Sequence, residues 1–139
     1  INKPGSWSLT HGLFPYDYSV LMMQKHELST MVLVEGPRDA LRLLACDIPA
    51  MCICGTHSWS NEKRLLLEFA DVERLILMFD GDEAGQKATG LVSENCADSF
   101  EVTSVSLWNY SLPEGHPEDK LDPGNVPERM LHRLKNRLT

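Results

Sequence analysis

The sequence predicts an α/β fold built on a mainly parallel four-stranded sheet flanked by helices. Three observations predict it. Short apolar runs alternate with segments of helical periodicity, the signature of strand–helix–strand units. The apolar runs are hydrophobic at nearly every position, as strands buried on both faces are. The chain has 139 residues, 42% of them hydrophobic and 24% charged, enough for one core and ordinary for a globular domain.

The elements follow in order. Residues 1–30, punctuated by Pro4, Gly5, Gly12 and Pro15, read as an arm packed on the core, with a short helix near Tyr18 to Lys25. Its aromatics Trp7, Phe14, Tyr16 and Tyr18 offer base-stacking surfaces. Packing of the arm on the sheet is the expected role. Residues 31–139 then form the main domain. MVLVEG is a strand rich in β-branched residues, and PRDALRLLAC a helix with proline at its first position. PAMCICG is a second strand, with Cys52 and Cys54 alternating about Ile53, and Ser60 is placed to cap the helix SNEKRLLLEFA. VERLILMFD is a third strand, DEAGQKATGLVSENC a third helix, and FEVTSVSLW a fourth strand. A proline-rich loop leads to the basic helix VPERMLHRLKNRL, whose Met130, Leu131, Leu134 and Leu138 share an apolar face. Arg129, Arg133 and Arg137 recur every four residues on that helix. Solubilising charge is the default reading, and a nucleic-acid or partner surface the alternative.

Bulk properties narrow the function. No apolar run approaches the ~18 residues of a membrane span, and no secretory pattern opens the chain, so no membrane partner is expected. The start at Ile1 suggests a domain cut from a longer protein or a processed start. The net charge of −7 argues against a free-standing nucleic-acid binder but not against an acidic metal site that meets nucleic acid through a cation. The four cysteines, Cys46, Cys52, Cys54 and Cys96, form no C-x-x-C pair, so reduced, structural thiols and a cytoplasmic setting are expected. The histidines lack partners at zinc-ligand spacing.

The strand ends carry the chemistry. In an open parallel sheet, sites form at the carboxyl ends of strands. Here those ends read Glu35-Gly36, Gly55-Thr56-His57 and Asp80-Gly81-Asp82. A glutamate and two aspartates thus converge on one edge, where their mutual repulsion calls for a hard divalent cation with oxygen ligands. Capping of the following helix accounts for Asp82 but not for Asp80 at the end of so apolar a strand. Asp39 lies one helical turn beyond Glu35, with a first-turn acid as the plainer reading. Arg38 and Lys87 adjoin the same edge as candidate phosphate contacts, with exposed helix positions as the plainer reading.

LVEGPRDAL followed by FDGDEAGQKA resembles the Toprim domain, a Rossmann-like fold shared by primases, topoisomerases and some nucleases. The pattern is a strand-end Glu-Gly and a later strand-end Asp-x-Asp, here Glu35-Gly36 and Asp80-Gly81-Asp82. FDGDEAGQKA, Gly55-Thr56, KLDPGN and the opening NKPGSW…GLFPYDYSVL are similar to the DnaG-type and phage primase branch. The resemblance runs from about Asn2 to Asn125. It implies that Glu35 is a metal ligand or general acid/base and that Asp80 and Asp82 bind metal. It implies Asp39 and Asp122 as further acids, and Gly55, Thr56, Arg38 and Lys87 as substrate contacts. Gly124 stands where the family's pattern has a second acid, with Asp119 nearby.

The implied activity is metal-dependent nucleotidyl transfer with Mg²⁺ or Mn²⁺, in a primase making RNA primers for DNA replication. The implied partners are nucleoside triphosphates, a single-stranded DNA template and a replicative helicase. The implied location is the cytoplasm of a bacterium or of a phage-infected host. No G-x-x-x-x-G-K-[ST] motif and no zinc module occur, so the isolated chain is expected to make primers poorly or not at all. The rival readings are a Toprim metal-dependent nuclease and a non-catalytic module that recruits a replication partner.

Overall fold

A computed structural model describes residues 12–54, 59–105 and 128–138. The elements are α1 (Tyr16–Lys25), β1 (Thr30–Val34), α2 (Pro37–Ala45), β2 (Ala50–Cys52), α3 (Asn61–Phe69), β3 (Arg74–Leu77), α4 (Glu83–Cys96), β4 (Glu101–Ser104) and α5 (Glu128–Asn136). The α/β class expected from the sequence is the one observed. β2 and β3 are shorter than the apolar runs that announced them, whereas β1 takes in its whole run and Thr30 before it.

The four strands form one sheet in the order β2-β1-β3-β4, with every pair parallel. The chain steps outward from β1 to β2, returns past β1 to β3, and then steps outward the other way to β4. The gap between the carboxyl ends of β1 and β3 is therefore the topological switch point, where open α/β sheets take ligands. Register fixes the level of the two ends, since Leu33 pairs with Leu77 and Met78 donates its N–H to the Leu33 carbonyl at 2.9 Å.

Strand residues alternate between two core layers, as a period of two requires. Met31, Leu33, Met51, Ile53, Leu75, Leu77 and Phe79 face one side, where Leu67 of α3 and Ala88, Val92 and Cys96 of α4 cover them. Val32, Val34, Ala50, Cys52, Ile76 and Met78 face the other, under Ala40 and Leu43 of α2 and Leu131 and Leu134 of α5, with Leu138 just beyond that helix. Truncating a fully buried leucine such as Leu33 to alanine costs about 2–5 kcal/mol in sites of this kind. The carbonyl of Leu138 accepts from Thr30 Oγ1 at 3.1 Å and Arg74 Nη2 at 2.9 Å, which ties the end of the chain to β1 and β3. The apolar face read from the α5 sequence is confirmed at Leu131, Leu134 and Leu138, and Arg133 and Arg137 are exposed. The side chains of Arg129 and Met130 lie outside the described residues.

Helix α1 begins at Tyr16 rather than Tyr18. Phe14 and Cys52 exchange backbone hydrogen bonds at 3.3 and 2.7 Å, so the segment before α1 covers the open edge of β2. Leu13 and Met23 are buried, Ser19 Oγ donates to the Ala50 carbonyl, and Tyr16 donates to the Leu66 carbonyl at 2.7 Å. The expectation that the aromatics pack inward holds for Tyr16. It fails for Tyr18, which is exposed, and for much of Phe14, whose backbone rather than ring makes the sheet contact. Trp7 lies outside the described residues. Ser60 occupies the N-cap of α3, but its side chain makes no capping hydrogen bond.

Candidate metal centre at the switch point

Glu35 leaves β1 half-buried, and Gly36 after it is the N-cap of α2. Proline at the first position of α2 has no N–H to satisfy there, so the chain turns directly from strand to helix. Asp39 sits in the first turn, and its carboxylate folds back toward Gly36, where a Cβ would lie 3.7 Å from Oδ2. Arg38 is exposed on the same turn.

Asp80 leaves the β3 run half-buried, with its Oδ1 atom shielded from solvent. Its N–H donates to Oε1 of Glu35 at 3.1 Å, 45 residues away in sequence. One carboxylate oxygen of Glu35 thereby ties the ends of the two central strands together across the switch point. Asp82 is the N-cap of α4 and accepts from the Gly85 N–H at 2.8 Å. The N-terminus of α4 is thus held by Asp82 and pressed against Asp80. A Cβ on Gly85 would lie 2.0 Å from the Asp80 carbonyl oxygen and 2.9 Å from its carbon. Only glycine permits that approach.

The structure brings Glu35, Asp39, Asp80 and Asp82 to one edge, between β1 and β3 and at the start of two helices. The donor set is all oxygen, which suits a hard divalent cation in kind. Among the described residues, no three His, Cys, Asp or Glu side chains form a ready metal cluster. Two hydrogen bonds account for this, since Glu35 Oε1 is turned to the Asp80 N–H and Asp82 Oδ1 to its own helix. Asp122, Gly55 and Thr56 lie outside the described residues. Lys87 is exposed and stands 4.0 Å from Glu83, an i,i+4 pair on α4.

Two structural features near these strand ends are not legible from the sequence. One is the close approach of Gly85 to Asp80. The other is Lys63, which is fully buried and donates from Nζ to the Ile53 carbonyl at 2.6 Å. Burial pushes its amine below the ordinary lysine range, and the nearby thiols of Cys54 and Cys52 push it back up. Of Lys63 the sequence carries only the phase: Lys63 and Leu67 are four residues apart on the buried face of α3.

Comparison with known proteins agrees with this fold. The model of a family described as Toprim-like matches residues 32–119. A DNA primase of Chlamydia pneumoniae is 28% identical over 107 residues, 77% of this chain and 17% of that protein. The crystal structure of the zinc-binding and RNA polymerase domains of the Aquifex aeolicus primase superimposes with a TM-score of 0.66 at 25% identity. That match covers 95% of this chain and 30% of that one. The RNA polymerase domain of Mycobacterium tuberculosis primase DnaG matches in fold, with a TM-score of 0.65 at 22% identity over 95% of this chain and 41% of that one. The chain spans about a sixth of the length of the curated relatives it matches.

Proposed function

The chain belongs to the Toprim-like family, and from that premise we propose that it is the metal-dependent nucleotidyl-transfer core of a DnaG-type primase. The observation that carries the proposal is the Glu35–Asp80 tie at the switch point, because it joins the two acidic strand ends at one place. In this reading Glu35, Asp80 and Asp82 hold a divalent cation, with Asp39 and Asp122 as further acids. Bound Mg²⁺ or Mn²⁺ supplies positive charge for phosphate oxygens and favours deprotonation of an attacking hydroxyl. The protein's own part is placement. Glu35 holds Asp80 by its backbone N–H and Asp82 anchors the start of α4; the oxygen-rich edge would supply ligands to a bound cation. Arg38, Gly55, Thr56 and Lys87 contact the nucleotide, and single-stranded DNA is the template. A replicative helicase is the proposed partner and the cytoplasm the proposed setting.

Calorimetric titration with Mn²⁺ tests the reading, comparing the unmodified chain with Asp80→Asn and with Asp80→Ala/Asp82→Ala. The expected result is binding in the micromolar to millimolar range that the single change weakens and the double change abolishes, and nucleoside triphosphate binding that requires Mn²⁺. Equal, weak binding by all three proteins would overturn it in favour of a non-catalytic module. Mn²⁺-dependent cleavage of DNA or RNA by the unmodified chain would favour nuclease chemistry at the same acids.

A further inference from the structure

Cys52 and Cys54 stand at the carboxyl end of β2, beside the strand that carries Glu35, and no step of the proposed chemistry uses them. Their sulfur atoms are 3.4 Å apart, and both thiols are free. In an extended strand, residues i and i+2 share a face but stand about 6.6 Å apart, close to the limit that a disulfide can span. Here the strand ends at Cys52, and Cys54 adopts a φ of +63°. A non-glycine residue in that region is uncommon. The turn it makes folds the second sulfur back onto the first. The sequence reading, which continued the strand through both cysteines, misses this turn. Cys52 is buried, whereas Cys54 is partly exposed and gives solvent a way to the pair. The peptide between them is held from below, since the Ile53 N–H donates to the Val34 carbonyl at 2.8 Å and its carbonyl accepts from buried Lys63. The two sulfurs are therefore mounted on a fixed backbone, with a buried amine at hand.

We propose that Cys52 and Cys54 form a redox-active dithiol that exchanges with low-molecular-weight disulfides. The step balances as follows. The thiolate of Cys54 attacks one sulfur of R–S–S–R, forms Cys54–S–S–R and expels RS⁻, which leaves as RSH with the proton Cys54 gave up. Cys52 then loses its proton and attacks the Cys54 sulfur. The Cys52–Cys54 bond forms, the Cys54–SR bond breaks, and the second RS⁻ leaves as RSH. Two thiols are oxidised and one disulfide is reduced to two thiols. Cys54 attacks first because it is the exposed member. Burial, reinforced by the neighbouring Cys54 thiol, holds the Cys52 thiol up at about 12, so it is the resolving partner. Lys63, cationic or neutral, lies where a charge or a proton on these sulfurs is felt.

The test equilibrates the full chain with oxidised and reduced glutathione, quenches with acid, alkylates under denaturing conditions and reads intact mass and peptides. Two of the four thiols should be lost, with a Cys52–Cys54 linked peptide and the mass of two hydrogens gone. Cys52→Ser should retain glutathione on Cys54, and Cys54→Ser should leave Cys52 reduced. Phenylarsine oxide, which bridges paired thiols, should protect Cys52 and Cys54 from alkylation in the reduced unmodified chain. Four alkylatable thiols after oxidation, a linkage through Cys46 or Cys96, or lasting glutathione on Cys54 of the unmodified chain would each overturn the proposal. Arsenical protection needs no variant, so a folding defect in either serine protein leaves the test standing.

Discussion

Gly85 packs against the backbone of Asp80 so closely that a Cβ there would sit 2.0 Å from the Asp80 carbonyl oxygen. The neighbour is main chain and cannot swing aside. Gly85→Ala should therefore destabilise by at least about 2 kcal/mol, although alanine is the better helix former. Gly90, on the same helix, has nothing within 4 Å of its virtual Cβ. Gly90→Ala should stabilise by about 0.4–1 kcal/mol. Urea unfolding of the two variants checks the opposite signs, and two changes of the same sign would refute the close approach.

Glu35 contributes both an acceptor and a charge. Glu35→Ala removes the acceptor of the Asp80 N–H and should cost about 1–3 kcal/mol. Glu35→Gln keeps a carbonyl oxygen in reach of that N–H and should restore much of the loss, while Mn²⁺ affinity still falls. Unfolding and calorimetry on the same two proteins separate the structural from the ionic role.

Asp82 serves α4 as a cap and, in the proposed function, the cation as a ligand. Asp82→Ala should cost about 1 kcal/mol of stability through the lost bond from the Gly85 N–H. Asp82→Asn caps nearly as well, so its stability should stay within a few tenths of a kcal/mol of the unmodified chain. A fall in Mn²⁺ affinity for the asparagine variant at unchanged stability would identify the carboxylate charge as the functional quantity.

Alkaline pH should weaken the fold through its buried thiols. Burial pushes the thiol of Cys96, at the end of α4, from 9.0 up to about 12, and Cys52 moves in the same direction to about 12. Between those values the folded protein holds protons that the unfolded chain has released. Their contribution to stability is complete below about pH 9 and is lost as pH rises toward 12. Lys63 acts in the opposite sense, because burial lowers its pKa from 10.5 and its contribution grows as pH rises toward that value. With two thiols against one amine, the urea midpoint should fall between pH 9 and 11. Cys96→Ala should fall less steeply than the unmodified chain.

The sequence by itself determined the class of fold, the order of its elements and the identity of its acidic strand ends. Those follow from local physics: the period of apolar residues, proline at the first turn of a helix, and polar residues where a strand must reach water. It also determined the apolar face of α5 at Leu131, Leu134 and Leu138, because one helix needs only its own phase. Tertiary structure decided what meets across the chain. The bond from Asp80 to Glu35 spans 45 residues and exists because β1 and β3 are neighbours at a set register. The need for glycine at position 85 arises from the main chain of Asp80, five residues earlier in the turn into α4, which no helix propensity reports. Lys63 is buried because an apolar phase carried its stem inward and the Ile53 carbonyl received its amine. The contact of Cys52 with Cys54 depends on one left-handed residue where a continued strand was expected. In each case the deciding energy is a contact made outside the periodicity of a single helix or strand, or a backbone angle imposed by packing.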